Sequence, residues 1–103
     1  MLKEKIKEAI LEGMKVRGNG TPACGAGRAY VCMCKVDRKT LNAYKAAIES
    51  CGMRYLKKAY GAGDRAIYVG YDNFTGVPLA QAEAIAKNLK DLGLPAYFDA
   101  VGD

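Results

Sequence analysis

The chain predicts an α+β fold, a four-stranded antiparallel sheet with two helices on one face, because one strand-helix-strand pattern is written twice. Arg28-Ala29-Tyr30-Val31, a helix and Gly52-Met53-Arg54-Tyr55 make the first copy. Residues 65–69, a second helix and residues 93–97 make the other. The copies meet at Gly61-Ala62-Gly63-Asp64, whose glycines supply the positive φ of a tight hairpin. The order β-α-β-β-α-β, with right-handed crossovers, is the ferredoxin-like arrangement. An amphipathic helix stands ahead of it, so the chain divides into a helix at 1–17, a Gly-rich linker at 18–27 and the sheet-bearing unit at 28–103.

The leading helix spans 2–16. Leu2, Ile6, Ala9, Ile10 and Met14 fall on one stripe, and Lys3, Glu4, Lys7, Glu8, Glu12 and Lys15 on the other. It packs on the body, covers the sheet, or joins two subunits. The first strand runs from 29 to 36. Asp37 then caps a helix with Thr40 three residues on, and Leu41, Tyr44, Ile48 and Cys51 repeat at helical spacing until Gly52 stops it. Strands at 53–60 and 65–71 follow. Asn73-Phe74-Thr75-Gly76 leads into the last helix, where Pro78 suits the first turn. Ala82, Ile85, Ala86, Leu89 and Leu92 make its buried stripe, Gly93 caps it, and a final strand runs from 96 to about 101.

Alternation along the strands assigns the faces. Val31, Met33, Leu56, Ile67, Val69 and Phe98 are expected toward the helices. Tyr30, Cys32, Cys34, Tyr55, Lys57, Tyr68 and Tyr97 are expected on the opposite face. A slip of one residue inverts a strand's whole set, and the second strand is the least constrained.

Composition narrows the function. The charge of +5 is uneven: residues 1–65 hold 14 Lys and Arg against 6 Asp and Glu, and residues 66–103 hold 2 against 5. That suits an acidic partner at the first two-thirds of the chain, or a solubility bias with no dedicated partner. No apolar run reaches 18 residues, and the N-terminus lacks the apolar centre of a secretion signal, so a cytoplasmic protein off the membrane is expected.

Catalysis has little to work with. There is no histidine to serve as base, Ser50 is the only serine, and the carboxylates read as caps, turns and surface. An enzyme is not expected, nor a cofactor. Cys24, Cys32, Cys34 and Cys51 lack C-x-x-C spacing and read as reduced, small apolar residues, so no metal is expected. Gly20 to Gly25 matches G-x-x-x-x-G, but Ala26 and Gly27 stand where a phosphate loop needs Lys and Ser or Thr.

The tyrosines carry the functional expectation. Each offers a ring for stacking and a hydroxyl for hydrogen bonds at small entropic cost. Tyr68-Val69-Gly70-Tyr71 and Tyr30-Val31 resemble parts of the two signatures of the RNA-recognition motif, which stacks bases on the central strands of such a sheet. Ala66 and Arg65 depart from that pattern.

Residues 28–101 also resemble a SPOR domain, the peptidoglycan-binding module of bacterial division proteins. The likeness is carried by Ile67-Tyr68-Val69-Gly70-Tyr71, residues 82–89 and Gly93-Leu94-Pro95-Ala96-Tyr97, with Cys34 departing from the first repeat. It implies glycan binding on the exposed sheet face.

The expected function is therefore non-enzymatic binding. Tyr30, Tyr55, Tyr68 and Tyr97, with Lys35, Arg54 and Lys57, would engage single-stranded nucleic acid or a protein that handles it. A domain this small also suits a phage-type inhibitor of a host machine. The alternatives are SPOR-like glycan binding, and a homodimer formed through the N-terminal helix or the sheet face.

Overall fold

The computed structural model describes residues 2–16, 26–59, 61–73 and 76–102; Arg17 and the linker residues 18–25 with Cys24, Tyr60, expected to end the second strand, and Phe74 and Thr75 lie outside them. The elements are α1 (Leu2–Met14), β1 (Ala26–Met33), α2 (Arg38–Ser50), β2 (Arg54–Lys58), β3 (Asp64–Asn73), α3 (Val77–Asp91) and β4 (Ala96–Gly102). The sheet order is β2-β3-β1-β4, with each adjacent pair antiparallel. With α2 and α3 on one face, this is the ferredoxin-like α+β sandwich with an N-terminal helix added.

Local chemistry sets the helix limits. The Asp37 carboxylate accepts the Thr40 N–H at 2.9 Å, capping α2, and hydrogen bonding from the Thr40 hydroxyl, helped by that N–H, holds the carboxyl below its ordinary range. Gly52 at φ 72° and Gly93 at φ 87° provide the left-handed turns after α2 and α3. Pro78 sits in the first turn of α3, where its missing N–H costs no bond.

The main core lies between sheet and helices. Val31, Met33 and Ile67 meet Tyr44, Ile48, Ile85 and Leu89, all fully buried. α1 belongs to the same core, with Ile6 and Ile10 completely enclosed. It packs against α2 and α3, so the tyrosine face lies on the far side of the sheet from it. Two side-chain amides fix its height: Gln81 donates to the Met14 carbonyl at 3.0 Å and Asn88 to the Ala9 carbonyl at 3.1 Å. Gly13 makes the crossing close, since a Cβ there would sit 2.8 Å from the Ile85 amide nitrogen and also against its Cγ1.

Two expectations are corrected. β1 ends at Met33, so Cys34 and Lys35 leave the sheet and enter the loop before α2. β2 is inverted by one residue. Tyr55 lies opposite Ile67 and packs on the helix-side core, while Leu56 lies opposite Ala66 on the other face. Lys57 shares the parity of Tyr55 and leaves the tyrosine face with it. The inversion costs little because apolar partners await Leu56 on that second face. Phe98, opposite Val31, keeps its assigned side but is 41% exposed.

Replacing Gly13 by Ala should destabilise the protein by about 1–3 kcal/mol, because the crossing must open to admit the methyl group. Urea denaturation reads this directly. Leu11→Ala, on the exposed side of the same helix, should stay within about 0.5 kcal/mol of wild type.

Candidate functional site

The sheet face away from the helices carries the candidate site, and a bulge determines what it displays. β1 runs in unbroken register with β4, so Arg28, Tyr30 and Cys32 share this face with Val101, Asp99 and Tyr97 opposite them. Against β3 the register shifts: Ala29 pairs with Gly70 but Tyr30 pairs with Tyr68, which leaves Val69 as the extra residue. Tyr68 and Tyr71, an odd number of positions apart, therefore both emerge on the face of Tyr30. Tyr71 lies opposite Arg28 and Arg54 lies opposite Tyr68. Gly70, within the bulge, turns toward the helices, where a Cβ would approach Pro78 at 3.5 Å.

Part of this face is covered by Ala59 and residues 61–63, between β2 and β3. Ala59 is 1% exposed and packs with Tyr30, Cys32 and Ala66, flanked by Leu56, Ala62, Tyr68 and Val101. The turn closes on itself through Ala59 N–H to the Gly63 carbonyl at 3.2 Å and Ala62 N–H to the Ala59 carbonyl at 3.0 Å. Its tip reaches across to β4. A Cβ on Gly61 would lie 3.2 Å from Val101, and one on Gly63 would strike the Tyr97 hydroxyl and lie 3.1 Å from the Cys32 Cβ. Only glycine permits that approach at 63. The result is a second, smaller core, with Cys32 fully buried at its centre. Burial pushes the Cys32 thiol above its ordinary range, and burial does the same to the Tyr97 phenol.

Arg65 aims the turn. Its φ of 50° is left-handed, a conformation that costs a side chain about 1–2 kcal/mol. Two bonds hold it: the Tyr44 hydroxyl donates to the Arg65 carbonyl at 2.9 Å, and Arg65 Nε donates to the Met33 carbonyl at 2.9 Å. Tyr44 is braced in turn by the Tyr55 ring, edge-on at 6.1 Å, with the Lys45 ammonium 5.2 Å from the centre of that ring.

The sequence-predicted residues thus separate. Tyr30 is only 5% exposed and forms a floor, with its ring centre 5.7 Å from that of Tyr68. Tyr68 is half-buried, and Arg54 stands exposed opposite it. Tyr97 is on the face but leans under the turn. Tyr55 serves the helix-side core, Lys57 follows its parity, and Lys35 stands in the loop after β1. Arg28 and Tyr71, both exposed, join the site unforeseen. The available signal was Gly70, since a glycine inside a strand marks a bulge.

Among the described residues, what remains uncovered is a patch in which Tyr68 and Tyr71 alternate with Arg54 and Arg28, beside the half-buried Asp99. Flat rings flanked by guanidinium groups can stack on planar groups and pair with anions. The chain matches no known family, no curated protein and no solved structure. Among the described residues, no helix is long and apolar enough to cross a membrane, and no three His, Cys, Asp or Glu side chains gather as a metal would require.

The Tyr44 brace should appear in the pH dependence of stability. Burial raises its phenol far above the ordinary value, so the folded protein retains a proton that the unfolded chain releases near pH 10. This contribution is fully present below about pH 10 and is lost as pH rises beyond it, by up to about 1.4 kcal/mol per pH unit. Tyr44→Phe should flatten that alkaline decline and, at neutral pH, lose about 1 kcal/mol for the bond to Arg65. Denaturant midpoints at neutral pH and above pH 10 test both effects.

Proposed function

We propose that the protein is a non-enzymatic binder of single-stranded nucleic acid, and that the strip of its tyrosine face carrying Tyr68, Tyr71, Arg54 and Arg28 is the contact surface. The observation that carries this reading is the pairing of Arg28 with Tyr71 and Arg54 with Tyr68 across neighbouring strands. Each pair offers a base-sized ring next to a cation suited to phosphate, which is the combination that single strands demand. A duplex buries its base faces within the stack and has no use for a flat aromatic platform. The exposed Lys58, on the same face by alternation, and the basic balance of residues 1–65 would extend the attraction along a strand.

Fluorescence anisotropy with labelled single-stranded RNA and DNA oligomers, over a range of salt, tests the proposal. Tyr71→Ala and Tyr68→Ala should each weaken binding by about 1–3 kcal/mol. Arg28→Ala and Arg54→Ala should each make the log–log salt dependence shallower by about 0.7. Lys57→Ala should change little, because that side chain leaves the face. Undiminished binding by the two tyrosine variants would sink the proposal.

A further inference from the structure

We propose that the protein forms a symmetric homodimer through the outer edge of β4, joining two four-stranded sheets into one continuous sheet. The dimer does not rest on the nucleic-acid reading above. β4 ends the sheet, and among the described residues nothing pairs with its outer edge. The other edge strand, β2, carries the exposed cations Arg54, Lys57 and Lys58, which discourage pairing. β4 has one charge, Asp99, and leaves Phe98 and Ala100 exposed on the helix side.

The hydrogen-bond phase of β4 selects the partner. Cys34 N–H donates to the Pro95 carbonyl at 3.0 Å, in register with the β1–β4 ladder. Antiparallel bonds alternate, so Tyr97, Asp99 and Val101 bond to β1, while Ala96, Phe98 and Ala100 turn their N–H and C=O groups outward. Two of those outward N–H groups are held locally: Ala96 donates to the Leu94 carbonyl and Ala100 to the Asp99 carboxylate, each at 2.9 Å. Among the described residues, Phe98 keeps both groups for a partner strand. A second, antiparallel β4 with its dyad at Phe98 exchanges two bonds between the paired Phe98 residues and breaks neither local one. The two rings then meet on the helix side. Tyr97 faces the other copy's Asp99, whereas a dyad at Asp99 would set two carboxylates against each other. The dyad stands normal to the sheet, so the two strips of Tyr68 and Tyr71 face the same way.

Charge on α3 fits the same dyad. α2 lies over β2 and α3 over β4, β1 and β3, with α1 packed against both helices. Gln81 and Asn88 face α1, so Glu83 and Lys90, each two residues on and about 200° round, lie on the flank above the β4 edge. Both are exposed, and no ion pair among the described residues engages either. Phe98 is the third residue of β4, roughly level with the middle of α3, since a strand advances about 3.3 Å per residue and a helix about 1.5 Å. The dyad thus passes between Glu83 and Lys90 and brings each toward its opposite charge on the other copy. The two α3 axes stand about 10–14 Å apart, two to three strand spacings, a gap that Glu and Lys side chains span. Lys87, exposed between them, points further toward water.

Sedimentation equilibrium of the wild type should show a reversible monomer–dimer equilibrium. Glu83→Lys and Lys90→Glu should each raise the dissociation constant about tenfold, and the double exchange should restore it. Phe98→Lys should leave monomer alone with unchanged circular dichroism, since that side chain stands outside the core. Cross-linking reads the register, with Cys24, Cys34 and Cys51 replaced by serine. Phe98→Cys should oxidise to a covalent dimer, because the paired Cα atoms lie about 5.5 Å apart. Ala100→Cys should not, because the two substituted positions lie roughly 13 Å apart. Equal cross-linking at both positions overturns the dyad at Phe98. A wild type that stays monomeric through the millimolar range overturns the dimer and leaves the β4 edge to a strand of another protein. A dimer indifferent to Phe98→Lys and to both charge reversals refutes this interface as well.

Discussion

Arg65 enters β3 with a left-handed backbone, and the Tyr44 hydroxyl and the Met33 carbonyl keep it there. Most of what distinguishes the molecule depends on that pinned residue. It directs the preceding turn across the sheet instead of away from it, so Gly61 and Gly63 reach β4. It ties the turn to both layers at once, because Tyr44 stands on a helix and Met33 on the central strand. A ferredoxin-like sheet ordinarily has one buried face and one wet one. Here the wet face is divided, with a small core under the turn and an aromatic, cationic strip beyond it.

The bulge at Val69 performs the complementary task. It rotates the far end of β3 so that Tyr71 emerges beside Arg28 rather than facing Pro78. The uncovered strip is thus the product of two backbone irregularities on one strand, a left-handed residue at its start and an extra residue in its middle. Neither adds a functional group. Both decide which groups the sheet presents, and the helices contribute by leaving that side bare.

The repeated strand-helix-strand pattern, the Asp37 cap and the glycine stops at 52 and 93 were legible in the sequence because each is a local signal with a local cause. The direction of β2 was not. Alternation reads a strand correctly when one face is dry and the other wet, and here the folded-back turn gives Leu56 apolar company on the face that Tyr55 was expected to take. Tyr30 was rightly placed on its face but is nearly enclosed there, since nothing in the sequence announces that Ala59, Ala62 and Gly63 fold over that face. Arg28 and Tyr71 were missed because a bulge resets parity silently, and the glycine that marks it also fits an ordinary strand.

The amides that anchor α1 have a consequence for how the chain acquires its structure. Asn88 and Gln81 grip carbonyls 79 and 67 residues earlier, and the strip of helix they hold is sealed only when Ile85 meets Gly13. α1 is made well before the residues that hold it and is therefore among the last of these elements to find its place, and the central strand β1 likewise waits for β4. Contacts of such long sequence separation make for slow folding. Until α3 is made the apolar stripe of Ile6 and Ile10 has only α2 to pack on, an amphipathic segment partly open to chaperones and to other nascent chains. The alternating Lys and Glu residues on its opposite side keep that waiting helix in solution.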